Sequence, residues 1–151
     1  MKNMKNQNDK ELIYTESKTL RNETLDNVSY DFLDRFKVIP YLTDDMVVTT
    51  QQVANYYECS LDSVKTIIKR NREEFEDDGM VVLTEKILQG SNEPDKISSK
   101  TRSLTILTKR SLLRIGMLMT SNMLATKIRN YLLNIEENTE IDRKSWAIQR
   151  E

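Results

Sequence analysis

"TTQQVANYYECSLDSVKTIIKR" (residues 49–70) sets two short helical patterns on either side of a cramped junction. Thr49 and Gln52 form a T-x-x-Q capping box, in which the hydroxyl accepts from a backbone N–H and the glutamine reaches back, so a helix is predicted to begin here. Val53, Ala54 and Tyr57, and then Val64, Ile67 and Ile68, fall three and four apart, as two packed amphipathic helices require. Ser60 is the natural cap of the second helix, and Asp62 in its first turn suits the positive helix end. That helix is expected to run to about Phe75 and to stop before Gly79. The spacing within residues 50–69 is that of a helix-turn-helix, whose second helix lies in the DNA major groove while the first braces it. Ala54 supplies the small inner residue that a short turn demands, and Val53, Tyr57, Cys59, Val64 and Ile67 supply the apolar ones. Glu58 departs from the pattern, because a glycine free to take positive φ often stands there. Any amphipathic helix pair shares part of this spacing, so the outer face has to carry the argument.

That face presents Ser63, Lys65, Thr66, Lys69 and Arg70, with Arg72 just beyond. Hydroxyls and lysines reach phosphates, and Arg or Lys can bond guanine edges. Thr50, Gln51 and Ser60, at the starts of the two helices, join the candidate set. Asp62 is then either a cap or a selector of a cytosine edge. A solvated helix surface would also be charged, but here a second basic feature follows. "MVVLTEKIL" (80–88) and "SLTILT" (103–108) are strand-like, and the 14 residues "QGSNEPDKISSKTR" between them are loop-like. A β-hairpin with Lys96, Lys100 and Arg102 near its tip would act as a wing, touching phosphates beside the groove and adding salt-sensitive affinity.

Around this centre, "YDFLDRFKVIPYL" (30–42) offers Phe32, Leu33, Phe36, Val38, Ile39 and Leu42 to the core, and "MVVTT" (46–50) reads as extended. From Lys109 to Glu137 the period is helical, broken at "TSN" (120–122), where Ser121 is expected to cap the second helix of a pair. Met117, Met119 and Met123 read as core fillers. Residues 1–28 lack a sustained apolar period and read as a flexible polar tail with a short helix near its end; residues 138–151 read as a charged tail carrying Trp146. The expected fold is α+β and mainly helical: a helix-turn-helix with a β-hairpin wing and a C-terminal helix pair, in one folded unit over residues 29–137.

The net charge of −1 conceals an asymmetry: Lys96 to Ile135 carries eight basic residues and no acid, while acids collect in "EEFEDD" (73–78) and "EENTEID" (136–142). A segment of that sign can offer a polyanion a local field. Arg110, Arg114, Lys127 and Arg129 could contact phosphates or merely border the C-terminal helices. One cysteine and no histidine exclude an intrachain disulfide, a Cys/His zinc cage and a histidine general base. Cys59 is expected to be a small buried residue. The longest apolar run, "LLRIGMLM" (112–119), is too short for a membrane span, and no signal-peptide core opens the chain, so a cytoplasmic, nucleoid-associated protein is expected. Pro94, Asp95, Asp142 and Lys144 could be aligned with a metal-dependent nuclease pattern, but no carboxylate lies between Asp95 and Glu136 to complete a metal shell. No catalytic residue, metal or cofactor is expected.

"VTTQQVANYYECSLDSVKTIIKRN" and "KTRSLTILTKRSLLRIGMLMTSNMLATKIRNYLLNIEE" together resemble a family of uncharacterised DNA-binding regulators of bacilli and their phages, similar in style to the KilA-N/Bro-N group. The second stretch carries that group's strand, its T-[KR]-R helix start at Thr108, Lys109 and Arg110, and its closing A-x-x-[IV]-R-x-[YW]-L at Ala125 to Leu132. The resemblance covers residues 30–136. It implies a sequence-specific regulator on a mobile element, binding double-stranded DNA. Antirepressor relatives instead bind another regulatory protein, and this protein-interaction reading stays open. A homodimer is expected, since two half-sites about 34 Å apart give a small reader added affinity. The apolar face of residues 123–135 is either its interface or part of the inner core.

Overall fold

The computed structural model describes residues 10–41, 46–84 and 103–135. The protein is mainly helical with a small three-stranded antiparallel sheet, an α+β arrangement. It divides into two compact units, one drawing on the chain up to Ser29 and from Gly116 onward, the other running from Tyr30 to Ile115.

In the Tyr30–Ile115 unit the order is α3 (Phe32–Phe36), β1 (Val48–Thr49), α4 (Thr50–Tyr57), α5 (Leu61–Arg70), α6 (Arg72–Asp77), β2 (Val81–Thr84), β3 (Ser103–Leu107) and the start of α7 (Lys109–Leu118). The sheet order is β1-β3-β2, with Val48 opposite Leu107 and Val81 opposite Ile106. Phe32, Leu33, Val53, Ala54, Tyr56, Tyr57, Val64, Ile68, Phe75 and Leu107 are buried, so helices and sheet share one apolar centre. Two tyrosines tie α4 into it: Tyr56 Oη donates to Leu33 O (2.6 Å) and Tyr57 Oη to Leu112 O (2.6 Å). Burial, and then the nearby Asp34 and Tyr41 charges, push the Tyr56 phenol well above the ordinary range, so it remains a donor.

Several expectations are corrected here. Val38 is 82% exposed rather than part of the core, although Phe32, Leu33 and Ile39 are buried. The helix expected to run from Ser60 to Phe75 is interrupted at Asn71, whose side-chain amide donates to Ile67 O (2.9 Å) and so competes with the backbone ladder. It does end before Gly79: with φ +102, this residue lets Gly79 N–H reach Glu76 O and Met80 N–H reach Phe75 O, a Schellman closure.

The other unit contains a 3₁₀ turn (Lys10–Leu12), α1 (Ile13–Glu16), α2 (Lys18–Asn27) and α8 (123–135). The short helix expected near the end of the N-terminal segment is present as α2, but helix already begins at Lys10, and Tyr14 and Leu25 are buried, so residues 10–27 are not a tail. Two charged groups explain why an apolar count missed them. Glu11 is buried against the Arg129 guanidinium, and Arg21 is buried with its guanidinium donating to Tyr14 O (2.8 Å). The helix break near residue 120 is present, but Asn122 is the cap, its Oδ1 accepting from Ala125 N–H (2.9 Å), while Ser121 takes positive φ. Of the apolar face of residues 123–135, Ala125, Ile128 and Leu132 are buried within the chain, while Leu124, Tyr131 and Ile135 are half-buried. Met117 and Met119 are buried as expected; Met123 is 79% exposed and is not a core filler. Among the described residues no helix is long and apolar enough to cross a membrane.

Candidate nucleic-acid interface

The start of α4 is closed by the expected capping box: Thr49 Oγ1 accepts from Gln52 N–H (3.2 Å), and Gln52 Oε1 accepts from Thr49 N–H (2.9 Å). Its end is a second Schellman closure, with Glu58 N–H donating to Asn55 O (3.3 Å) and Cys59 N–H to Ala54 O (3.0 Å). Glu58 sits at φ 54, ψ 51, so the residue standing where glycine is common does take the left-handed conformation. Lys37, which sequence patterning gave no reason to single out, braces this corner. Its Nζ donates to Asn55 O (3.0 Å) and lies 3.7 Å from Glu58 Oε1. Cys59 is half-buried rather than buried, and burial pushes its thiol pKa up.

An L-residue held in the left-handed region costs roughly 1–2 kcal/mol, and glycine returns about half of that through its freer unfolded chain. The exposed Lys37–Glu58 pair contributes little. Glu58→Gly is therefore expected to raise stability by about 0.5–1 kcal/mol, read as a higher urea midpoint at unchanged slope. A lowered midpoint would show that the corner is held by the glutamate side chain instead.

Ser60 then starts α5, its Oγ accepting from Ser63 N–H (3.1 Å) and lying 2.8 Å from Ser63 Oγ. Val64 and Ile68 are buried and Ile67 half-buried, which turns the opposite face outward. Ser63, Lys65, Thr66, Lys69 and Arg70 are all exposed on it. Among the described residues, no carboxylate lies within ion-pair distance of Lys65, Lys69 or Arg70. Arg72 is exposed but paired, its Nε donating to Glu76 Oε1 (2.8 Å). Gln51 is exposed and bonds Asn55 (3.0 Å), while Thr50 is half-buried. Of the expected site, Ser63, Lys65, Thr66, Lys69 and Arg70 share one face of α5, while Thr50 and Gln51 lie on α4 and Arg72 on α6, with Thr50 and Arg72 less available than the rest. Lys96, Lys100 and Arg102 lie outside the described residues, as do Leu42, Asp95, Asp142 and Trp146.

The long basic segment is less basic in space than in sequence. Arg114 is 1% exposed and bonded to Glu74 and Asp78; Arg110 Nε also donates to Asp78 (2.8 Å). Arg129 is 1% exposed, paired with Glu11 and donating to Gly116 O (2.8 Å) and Met119 O. Lys109 is paired with Asp34 (3.0 Å): burial alone would lower its pKa, but bonds to Asp34 and Tyr41 outweigh that and raise it. Arg114 and Arg129 are therefore removed as phosphate contacts, because a buried guanidinium needs all its partners within the protein. Lys127 remains exposed. Two of the five acids in "EEFEDD", Glu74 and Asp78, face inward for the same reason, leaving Glu73, Glu76 and Asp77 on the surface.

No protein-family model, curated protein or solved structure matches the chain.

Proposed function

We propose that the chain is a sequence-specific, double-stranded DNA-binding transcriptional regulator of phage or mobile-element origin, with α5 entering the major groove. The observation that carries this is the outward face of α5, where Lys65, Lys69 and Arg70 stand exposed beside Ser63 and Thr66 on a helix capped and buried on its inner side. The order of elements supports it. Two helices joined by a three-residue corner lie between β1 and β2, β3 pairs with both, and the β2–β3 connection carries Lys96, Lys100 and Arg102. This order supports a reading as a winged helix-turn-helix, in which a recognition helix reads bases and a wing grips phosphates. A homodimer on a two-fold site fits this reading.

The antirepressor-like alternative, a module binding another regulatory protein, is favoured by one observation: Glu73, Glu76 and Asp77 are exposed directly after α5, and this negative charge opposes a phosphate backbone. Selection of bound fragments from a random duplex pool, repeated at two salt concentrations, separates the two. The expected result is an enriched site, and affinity falling with a log–log salt slope of roughly −3 or steeper as several phosphate contacts release counterions. Retention that is absent at low salt, or indifferent to salt, removes the DNA reading.

A further inference from the structure

Asp62 is the one acidic side chain on α5, and its role follows from how the first turn is built. The cap is Ser60, whose hydroxyl takes the Ser63 N–H, so Asp62 is not needed to close the helix end. Asp62 is exposed, one turn before Thr66 on the side opposite the buried Val64 and Ile68, and among the described residues it has no cationic partner. Lys65 and Lys69 follow it three and seven positions on, yet neither is drawn into an ion pair with it. A carboxylate at the N-terminal end of a helix facing phosphates is repelled by every phosphate, and on that ground alone it weakens binding to all sequences. It gains from DNA only where a base edge offers donors, and in the major groove the cytosine N4 amine is such a donor.

The remainder of the face agrees in chemistry. It contains no Asn or Gln, the residues that pair bidentately with adenine, whereas Lys69 and Arg70 suit the O6 and N7 acceptors of guanine. We infer that α5 reads a G·C-containing half-site, with Asp62 accepting from a cytosine N4 amine and Lys69 or Arg70 donating to guanine. This rests on the proposed function and specifies the base class it would recognise. Asp62 then acts by exclusion: it lowers affinity everywhere and lowers it least where a cytosine stands opposite.

The test compares pool selection and duplex titration for the full chain, Asp62→Asn, and Glu73→Gln. The last removes one exposed acid from α6, off the proposed reading face. The wild-type protein should enrich a cytosine position at which substitution weakens binding roughly tenfold. Asp62→Asn should bind random-sequence duplex more tightly and lose that cytosine preference; Glu73→Gln should share the first effect and keep the preference. An enriched site composed only of A·T pairs, or an Asp62→Asn protein with the cytosine preference intact, overturns the inference and leaves DNA binding standing. Failure of the wild-type protein to retain any duplex at low salt overturns both.

Discussion

Arg114→Ala is expected to lower the stability of the Tyr30–Ile115 unit by about 3–5 kcal/mol, a large share of the roughly 5–15 kcal/mol that a domain commonly has. The guanidinium is 1% exposed, and its three nitrogens are all engaged: Nε and Nη2 donate to Asp78, and Nη1 to Glu74. Both acids are buried too, so truncating the arginine leaves two carboxylates in the interior with one shared cation fewer. Arg110 still reaches Asp78. The cluster joins the end of α6 to α7, and hence bears on how α5, directly before α6, is held. Urea titration of the variant should show the lowered midpoint. Arg114→Met combined with Glu74→Leu should lose less than the sum of the two single changes, because replacing both ends of a buried pair by apolar groups removes the desolvation burden along with the attraction. A single-variant loss below about 1 kcal/mol would mean that water or a neighbouring side chain takes over the carboxylates.

That cluster also marks where sequence reasoning stopped. Features closed within one turn were legible, because their partners are three residues apart. Thr49 with Gln52, Ser60 with Ser63, and the positive φ at Glu58 all follow from chemistry between near neighbours in the chain. The charge reading failed for the opposite reason. Arg114 meets Asp78 across 36 residues and Arg129 meets Glu11 across 118, so a count of basic residues along a segment takes no account of the acids that fold against them. The same pairings hid the helices at residues 10–27, whose buried polar members Glu11 and Arg21 read as tail-like composition. Met123 shows a further limit: a helical period assigns a face, but the first residue of α8 lies beyond the buried patch that begins at Ala125. The exposed stripe of α5 lies between these cases. Its periodicity was plain, but the exposure of Lys65 and Lys69 without carboxylate partners among the described residues required coordinates.

Reversing both of those lysines, Lys65→Glu with Lys69→Glu, should reduce affinity for duplex DNA by at least about a hundredfold near 0.1 M salt and flatten its salt dependence. Each reversal removes a counterion-releasing contact and adds a charge that the phosphates repel, so the change exceeds simple deletion. The fold should survive. Both side chains are exposed, and the two stand four residues apart, so one like-charged pair merely replaces another. What remains is a glutamate in the last turn of α5, where the helix dipole favours a cation, an effect of about 0.3–1 kcal/mol. Circular dichroism and a urea midpoint check this directly. Net charge must also be separated from position, and Lys127 provides the comparison: it is exposed on α8, in the basic segment, and not part of α5. Lys127→Glu should lower affinity only slightly, through the long-range field, and that loss should vanish with added salt as screening sets in. If Lys127→Glu weakens binding as much as the double reversal does, the α5 face is not the reading surface. If the double reversal leaves affinity unchanged while the fold is intact, DNA is not what that face meets, and a protein partner indifferent to those two charges becomes the reading to pursue.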